Sequence, residues 1–192
     1  RYTPAHGTID PSVDMKTPPR DQVNALTGEQ FFSVLARVMA ANPPSAGDAP
    51  MVARLAQLGI APGRDFDATK LDPQLAAAVR AAPRDALPAI RQNIAAASKP
   101  INGWMVNLSL GDYGTDYLLR ASVTYSGLGA NLAKDAVYPM AKLDARGQPL
   151  DASRTDYTIT FANKDALPPA RAFWSVTMYG DQLFFTPNPL HQ

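Results

Sequence analysis

A chain of 192 residues, 46% hydrophobic and 18% charged, is long enough to bury a core and lies far from the composition of disorder. Its net charge of +1, without a cluster of five or more Lys/Arg, gives no electrostatic reason to expect nucleic acid or an anionic membrane surface as partner. It has no cysteine, which removes thiol nucleophiles, disulfides and thiolate zinc sites. Histidine occurs only as His6 and His191 and glutamate only as Glu29, so acid–base chemistry in the body of the chain falls to Asp, Tyr, Lys or water. No apolar run reaches the roughly 18 residues that a membrane span needs, and no span is expected. The start at Arg1, without Met, reads as a processed or trimmed end.

Residues 1–20, with Pro4, Pro11, Pro18 and Pro19 among Thr, Asp and Gly, read as an extended arm or linker. Residues 21–100 read as a small helical assembly. Thr27 followed by Gln30 has the capping-box spacing. Phe31, Leu35, Val38 and Met39 share one helical face, and Asn42-Pro43-Pro44 ends that helix. Asp48 suits the cap of a second helix, with Pro50 in its first turn, where a missing N–H is harmless. Val52, Leu55 and Leu58 face inward there, and Gly59 stops it. Asp72-Pro73 repeats the start signal for a third helix, carrying Leu75 and Val79 and closed by Pro83. A fourth is expected from about residue 85 to residue 98, with Leu87, Ile90 and Ile94 as its stripe. No internal repeat of fixed period is visible.

The pattern changes at Ile101. Trp104, Val106, Leu108 and Leu110 alternate with Met105, Asn107 and Ser109, which predicts a strand. Residues 115–128 read as a helix through Leu118, Ser122, Tyr125 and Leu128, ended by Gly127 or Gly129. Asp116 and Arg120 at i,i+4 would support it by about 0.2–0.5 kcal/mol. A β reading stays open because Val123, Thr124 and Tyr125 are strand formers. Residues 137–144 form the next predicted strand, broken by Ala145-Arg146-Gly147. Tyr157, Ile159 and Phe161 then alternate with Thr158 and Thr160, and residues 173–179 make an aromatic-rich strand. Gly180-Asp181 reads as a two-residue hairpin turn into residues 182–186. Helices first and strands after argue for the α+β class, with one helix packed on a β-rich part over residues 101–192.

The segments PSVDMKTPPRDQV (11–23), ANPP (41–44), NGW (102–104), YGTDYLLRA (113–121), GLGAN (127–131), DAVYP (135–139), AFWSVTMYG (172–180) and NP (188–189) form long motifs. Through them residues 101–192 resemble the bacterial domain-of-unknown-function family numbered 1214. The first hundred residues resemble the tail of its usual partner, family 1254, with connecting helices. The resemblance implies an exported protein of Gram-negative bacteria, hence a periplasmic or secreted location, and an antiparallel jelly-roll-like β-sandwich. It carries no established catalytic residues. Family members continue beyond the NP element with further strands, so an incomplete sandwich is expected here. Either the chain is a fragment, or another chain supplies the missing strands.

Candidate site residues concentrate between 104 and 138. Asp112, Asp116 and Asp135 are of the type needed for a paired-carboxylate glycosidase site or a hard cation. The plainer reading is a helix cap at Asp112, an ion pair from Asp116 to Arg120, and a turn at Asp135. Asp65-Phe66-Asp67 is the nearest approach to a tight acidic calcium spacing, and it reads as a loop. Trp104, Tyr113, Tyr117, Tyr125 and Tyr138 can stack on a sugar or other ring, or pack the helix on the sheet. Arg120 can grip an anion bidentately. Gly127, Gly129 and Asn131 suit a helix-ending turn and lack the order of a phosphate loop. Ser175 lies in no nucleophile elbow, and His6 and His191 are isolated.

The expected ligand-binding set is therefore Trp104, Asp112, Tyr113, Asp116, Tyr117, Arg120, Asn131, Asp135 and Tyr138, with no catalytic assignment, metal site or cofactor. Three functions fit: a non-enzymatic envelope or extracellular module binding a glycan or other small ligand, a glycoside-type hydrolase using an Asp pair, or a structural module. The last would be completed as a homo-oligomer or by the missing parts of its own chain.

Overall fold

Residues 11–96, 100–181 and 184–187 are described by a computed structural model of the chain. His6, the end of the predicted fourth helix at 97–99, Gln182, Leu183, Asn188-Pro189 and His191 lie outside the described residues. The described residues form five α-helices: α1 (Pro19–Asn24), α2 (Gly28–Ala41), α3 (Ala49–Gln57), α4 (Pro73–Ala96) and α5 (Tyr117–Ser126). They also form three short strands: β1 (Pro100–Ile101), β2 (Trp104–Met105) and β3 (Met140–Ala141). The strands make one antiparallel sheet in the order β1-β2-β3, with Trp104 opposite both Ile101 and Ala141. The mixed α+β class read from the sequence is thus present. The chain divides into two compact units, Arg1–Pro149 and Leu150–Gln192.

The first unit is organised by its helix starts. At α2, Thr27 Oγ1 accepts from Gln30 N–H (3.2 Å) while Gln30 Oε1 accepts from Thr27 N–H (2.9 Å), the reciprocal box that the spacing predicts. The core gathers Met39, Ile60, Phe66, Ala68, Ala76 and Val79, with Phe32, Leu35, Leu55, Leu58 and Leu71 packed around them. Phe32 meets Phe66 edge-on at 5.7 Å. The buried face of α2 therefore runs through Phe32, Leu35, Ala36 and Met39. The predicted face is rotated: Val38 is exposed, and Phe31 with Val38 borders a shallow hollow lined also by Val23, Leu26, Val34 and Leu35. Gly59, in the left-handed region (φ 78°), follows α3, and Gly63 N–H donates to Ala36 O (2.9 Å), tying that connector to α2.

Two expectations for the helical part are corrected. The arm does not stay extended to residue 20, because α1 starts at Pro19. Asp14 Oδ1 accepts from Lys16 and Thr17 N–H, and Gln22 Nε2 donates to the Asp14 and Thr17 carbonyls, folding residues 14–17 onto that helix. The predicted third and fourth helices are one, α4, with Pro83 and Pro88 inside it. An internal proline costs about 3 kcal/mol through its missing N–H and its ring. The cost is met here by packing: α4 lies against α2 and α5.

The predicted strands are shorter than the alternation suggests. Strand 104–110 is confined to β2, because Asn107 Oδ1 captures Ser109 N–H (2.9 Å) and turns the chain. Strand 137–144 is confined to β3 and a bridge from Leu143 to Pro149. That bridge closes around Asp144, which accepts from Arg146 and Gln148 N–H, with Gly147 at φ 77°. The β1–β2 turn holds Asn102 (φ 51°) and Gly103 (φ 82°), the positive-φ pair that an Asn-Gly hairpin requires. In the second unit Tyr157, Ile159 and Phe161 lie in no strand, and residues 173–179 are bridged only at Tyr179, opposite Phe185. That register leaves residues 180–184 between the two, so the connection is longer than a two-residue turn.

The crossing of α2 and α4 gives the first prediction. A Cβ on Gly28 would stand 2.5 Å from Arg80 Cα and closer still to its carbonyl oxygen. Helix propensity alone favours Gly28→Ala by at most about 1 kcal/mol, the value for a helix interior. The clash reverses the sign, and urea unfolding should show Gly28→Ala less stable by about 1–3 kcal/mol.

Candidate functional site

The polar centre of the first unit is the carboxylate of Asp48, whose side chain is 12% exposed. A 3₁₀ turn, Ala46–Asp48, leads into α3 and aims this side chain away from the helix it precedes. Its Oδ2 accepts from Ser45 Oγ (2.8 Å) and Ser45 N–H (3.2 Å). Its Oδ1 accepts from the Tyr117 hydroxyl (3.0 Å) and Arg120 Nη2 (3.4 Å). Tyr117 and Arg120 stand one turn apart at the start of α5, so they reach one acceptor together. The Arg120 guanidinium lies 5.2 Å from the Tyr117 ring centroid, and its Nη2 also donates to Gly114 O (2.6 Å).

α5 is seated on its other side by Ser122, which is 2% exposed. Its Oγ accepts from Asn93 Nδ2 (3.0 Å) on α4, and its proton serves Leu118 O (2.7 Å) or Ile90 O (3.3 Å). Arg91 Nη2 donates to the Tyr125 hydroxyl at 3.3 Å.

The hydrogen bonds from Ser45 and then Tyr117 hold the Asp48 carboxyl below its ordinary value of 3.8, with a smaller contribution from the Arg120 charge. Burial, and then the adjacent Asp48, push the Tyr117 hydroxyl above its ordinary 10.0. A carboxylate held ionised with both oxygens occupied is neither a proton donor nor a free base near neutral pH. The cluster is a tie between the turn before α3 and the first turn of α5.

The structure joins some of the predicted residues and leaves others apart. Tyr117 and Arg120 meet, but on Asp48. Asp116 does not pair with Arg120: its carboxylate accepts from Leu119 N–H (2.9 Å) as the cap of α5, which frees Arg120 for Asp48. The cap therefore falls at Asp116 and not at Asp112, which is exposed. Asn131 Nδ2 donates to the Tyr138 hydroxyl (2.7 Å), and Tyr138 is 62% exposed. Gly111, at φ 85°, lies against the Asn131–Leu132 backbone, where a Cβ would come within 2.8 Å of Leu132 N. Tyr113 and Trp104 are half-buried. Asp135 is exposed in a turn closed by its N–H on Leu132 O (2.9 Å). Gly129 takes the left-handed conformation expected of GLGAN, whereas Gly127 is extended.

A second shallow hollow is lined by Pro44, Ser45, Ala46, Ala49, Val52, Ala53 and Ala56, so it borders the Asp48 tie but holds none of the nine predicted residues. Among the described residues no three His, Asp or Glu group to hold a metal ion, and no helix is long and apolar enough to cross a membrane. Asp48 and Ser45 were not in the predicted set. The S-x-x-D spacing signals a local cap, and nothing local signals partners 69 and 72 residues away.

These features define a mixed α+β protein in which the one buried carboxylate among the described residues, Asp48, is a structural tie. Residues 135–192 match the family described as "Protein of unknown function (DUF1214)". The match begins later than the residues 101–192 assigned from the sequence motifs. No curated protein and no solved structure matches the chain.

The tie has a pH signature. A lowered folded-state value means that Asp48 stabilises fully above its ordinary 3.8 and loses that contribution as pH falls through and below it. Tyr117, raised above 10.0, stabilises below that pH and loses its contribution as pH rises past it. Asp48→Asn should lower the thermal midpoint at pH 7 and flatten the acid limb of a midpoint-against-pH curve. Tyr117→Phe should flatten the alkaline limb.

Proposed function

We propose that the chain is a non-enzymatic module of an exported, periplasmic or secreted bacterial protein. In this reading its β-rich half associates with another stretch of polypeptide and so completes a jelly-roll-like sandwich. One observation carries it. Among the described residues, residues 173–177 neither donate nor accept a backbone hydrogen bond, while Phe173 (81%) and Val176 (65%) stand exposed. Aromatic and β-branched residues with unpaired backbone groups are the composition and the state of an open sheet edge. Exposed apolar residues this dense mark an interaction surface. The segment lies inside the family match, and the location rests on the resemblance.

Amide hydrogen exchange on the protein as isolated from its native cells tests this reading. Slow exchange at 173–177, comparable to α2, is the expected result, and loop-like exchange there would overturn it.

A second reading, a small-ligand or glycan surface, is supported by Tyr138. Its ring is exposed and its hydroxyl is fixed by the Asn131 amide. Tyr138→Ala should then weaken binding of a glycan probe about fivefold, the ~1 kcal/mol of a stacked ring, with an unchanged melting point.

A further inference from the structure

Resting on that association reading, we infer that the partner strand is the same segment of a second copy, paired antiparallel about a two-fold axis at Val176. Geometry selects the edge. Gly180 N–H donates to Phe184 O (2.8 Å) and Thr186 N–H donates to Met178 O (3.2 Å), so the backbone groups of residues 178 and 180 face the 184–186 side. Residues 173–178 contain neither turn nor bend. Backbone groups alternate sides along such a chain, so those of Phe173, Ser175, Thr177 and Tyr179 face the opposite, open edge.

Charge selects the register. The run 172–180 is uncharged and is bounded by Arg171 and Asp181, both exposed and neither in an ion pair among the described residues. Antiparallel pairing about Val176 sets Arg171 of each copy opposite Asp181 of the other. It also sets Phe173 opposite Tyr179, Trp174 opposite Met178 and Ser175 opposite Thr177. Opposite charges, aromatic pairs and hydroxyl pairs are the favourable cross-strand combinations. A parallel pairing in register would instead oppose Arg171 to Arg171 and Asp181 to Asp181. Moving the axis to Ser175 sets Asp181 against Pro169, which has no N–H to donate.

The arrangement also closes. The two copies use the same edge, and the other edge of each strand is engaged at Met178 and Gly180 by residues 184–186. Pairing about the two-fold axis therefore yields an isologous dimer.

Light scattering on the 192-residue chain over a concentration series tests this. The expected molar mass at high concentration is twice the 20.6 kDa of one chain. Arg171→Asp and Asp181→Arg should each weaken self-association about fivefold, the scale of a cross-strand pair. The double swap Arg171→Asp/Asp181→Arg should restore it, and Thr177→Pro should abolish it with the helical circular dichroism unchanged. A monomer at every concentration, or a dimer that the single swaps do not weaken or the double swap does not restore, overturns the two-fold pairing. A monomer combined with slow exchange at 173–177 in the native-source protein refutes the second copy alone. Fast exchange there refutes the association reading as well.

Discussion

One carboxylate determines how the first unit is arranged. Asp48 sits where a turn enters α3, yet it spends none of its acceptors on that helix. All four hydrogen bonds of its carboxylate go to Ser45 behind it and to Tyr117 and Arg120 far along the chain. Placing an ionised group where it is nearly inaccessible is unfavourable unless every lone pair finds a donor. The requirement is met only when α5 is docked. The position of α5 in turn fixes Tyr113–Asp116 before it, whose closing bond is Asp116 N–H to Tyr113 O.

What could be read in the residues is what depends on neighbours three or four positions away. The Thr27–Gln30 box is of this kind, because a cap and its target lie within one turn, and so are the proline-marked start of α3 at Ala49-Pro50 and the helix over Tyr117–Ser126. What could not be read depends on distant partners. Pro83 looked like a stop because proline is one in isolation. The length of α4 is decided by α2 and α5, whose contacts have no local signature. Asp116 and Arg120 have the spacing of an ion pair, but Asp116 caps Leu119 N–H while Arg120 reaches Asp48 and the Gly114 carbonyl instead.

The β-rich half illustrates a second limit. Period-two alternation at Tyr157–Phe161 and at 173–179 records a propensity to be a strand, and strands exist only with a partner. The alternation says nothing about where that partner comes from. Of the predicted site, the residue types were legible in the region 104–138. Their grouping into Tyr117–Arg120 and Asn131–Tyr138 was not, since it depends on how α5 and the loop at Gly111 are seated.

The two prolines of α4 have a further consequence. A helix with two missing N–H groups does not persist on its own, and its halves are gripped by different neighbours: Gly28 and Glu29 of α2 at Arg80, Ser122 of α5 at Ile90 and Asn93. Both grips therefore support the same rod, on either side of its prolines. The α2 core and the Asp48 tie, which touch none of the same side chains, are thereby linked through one helix.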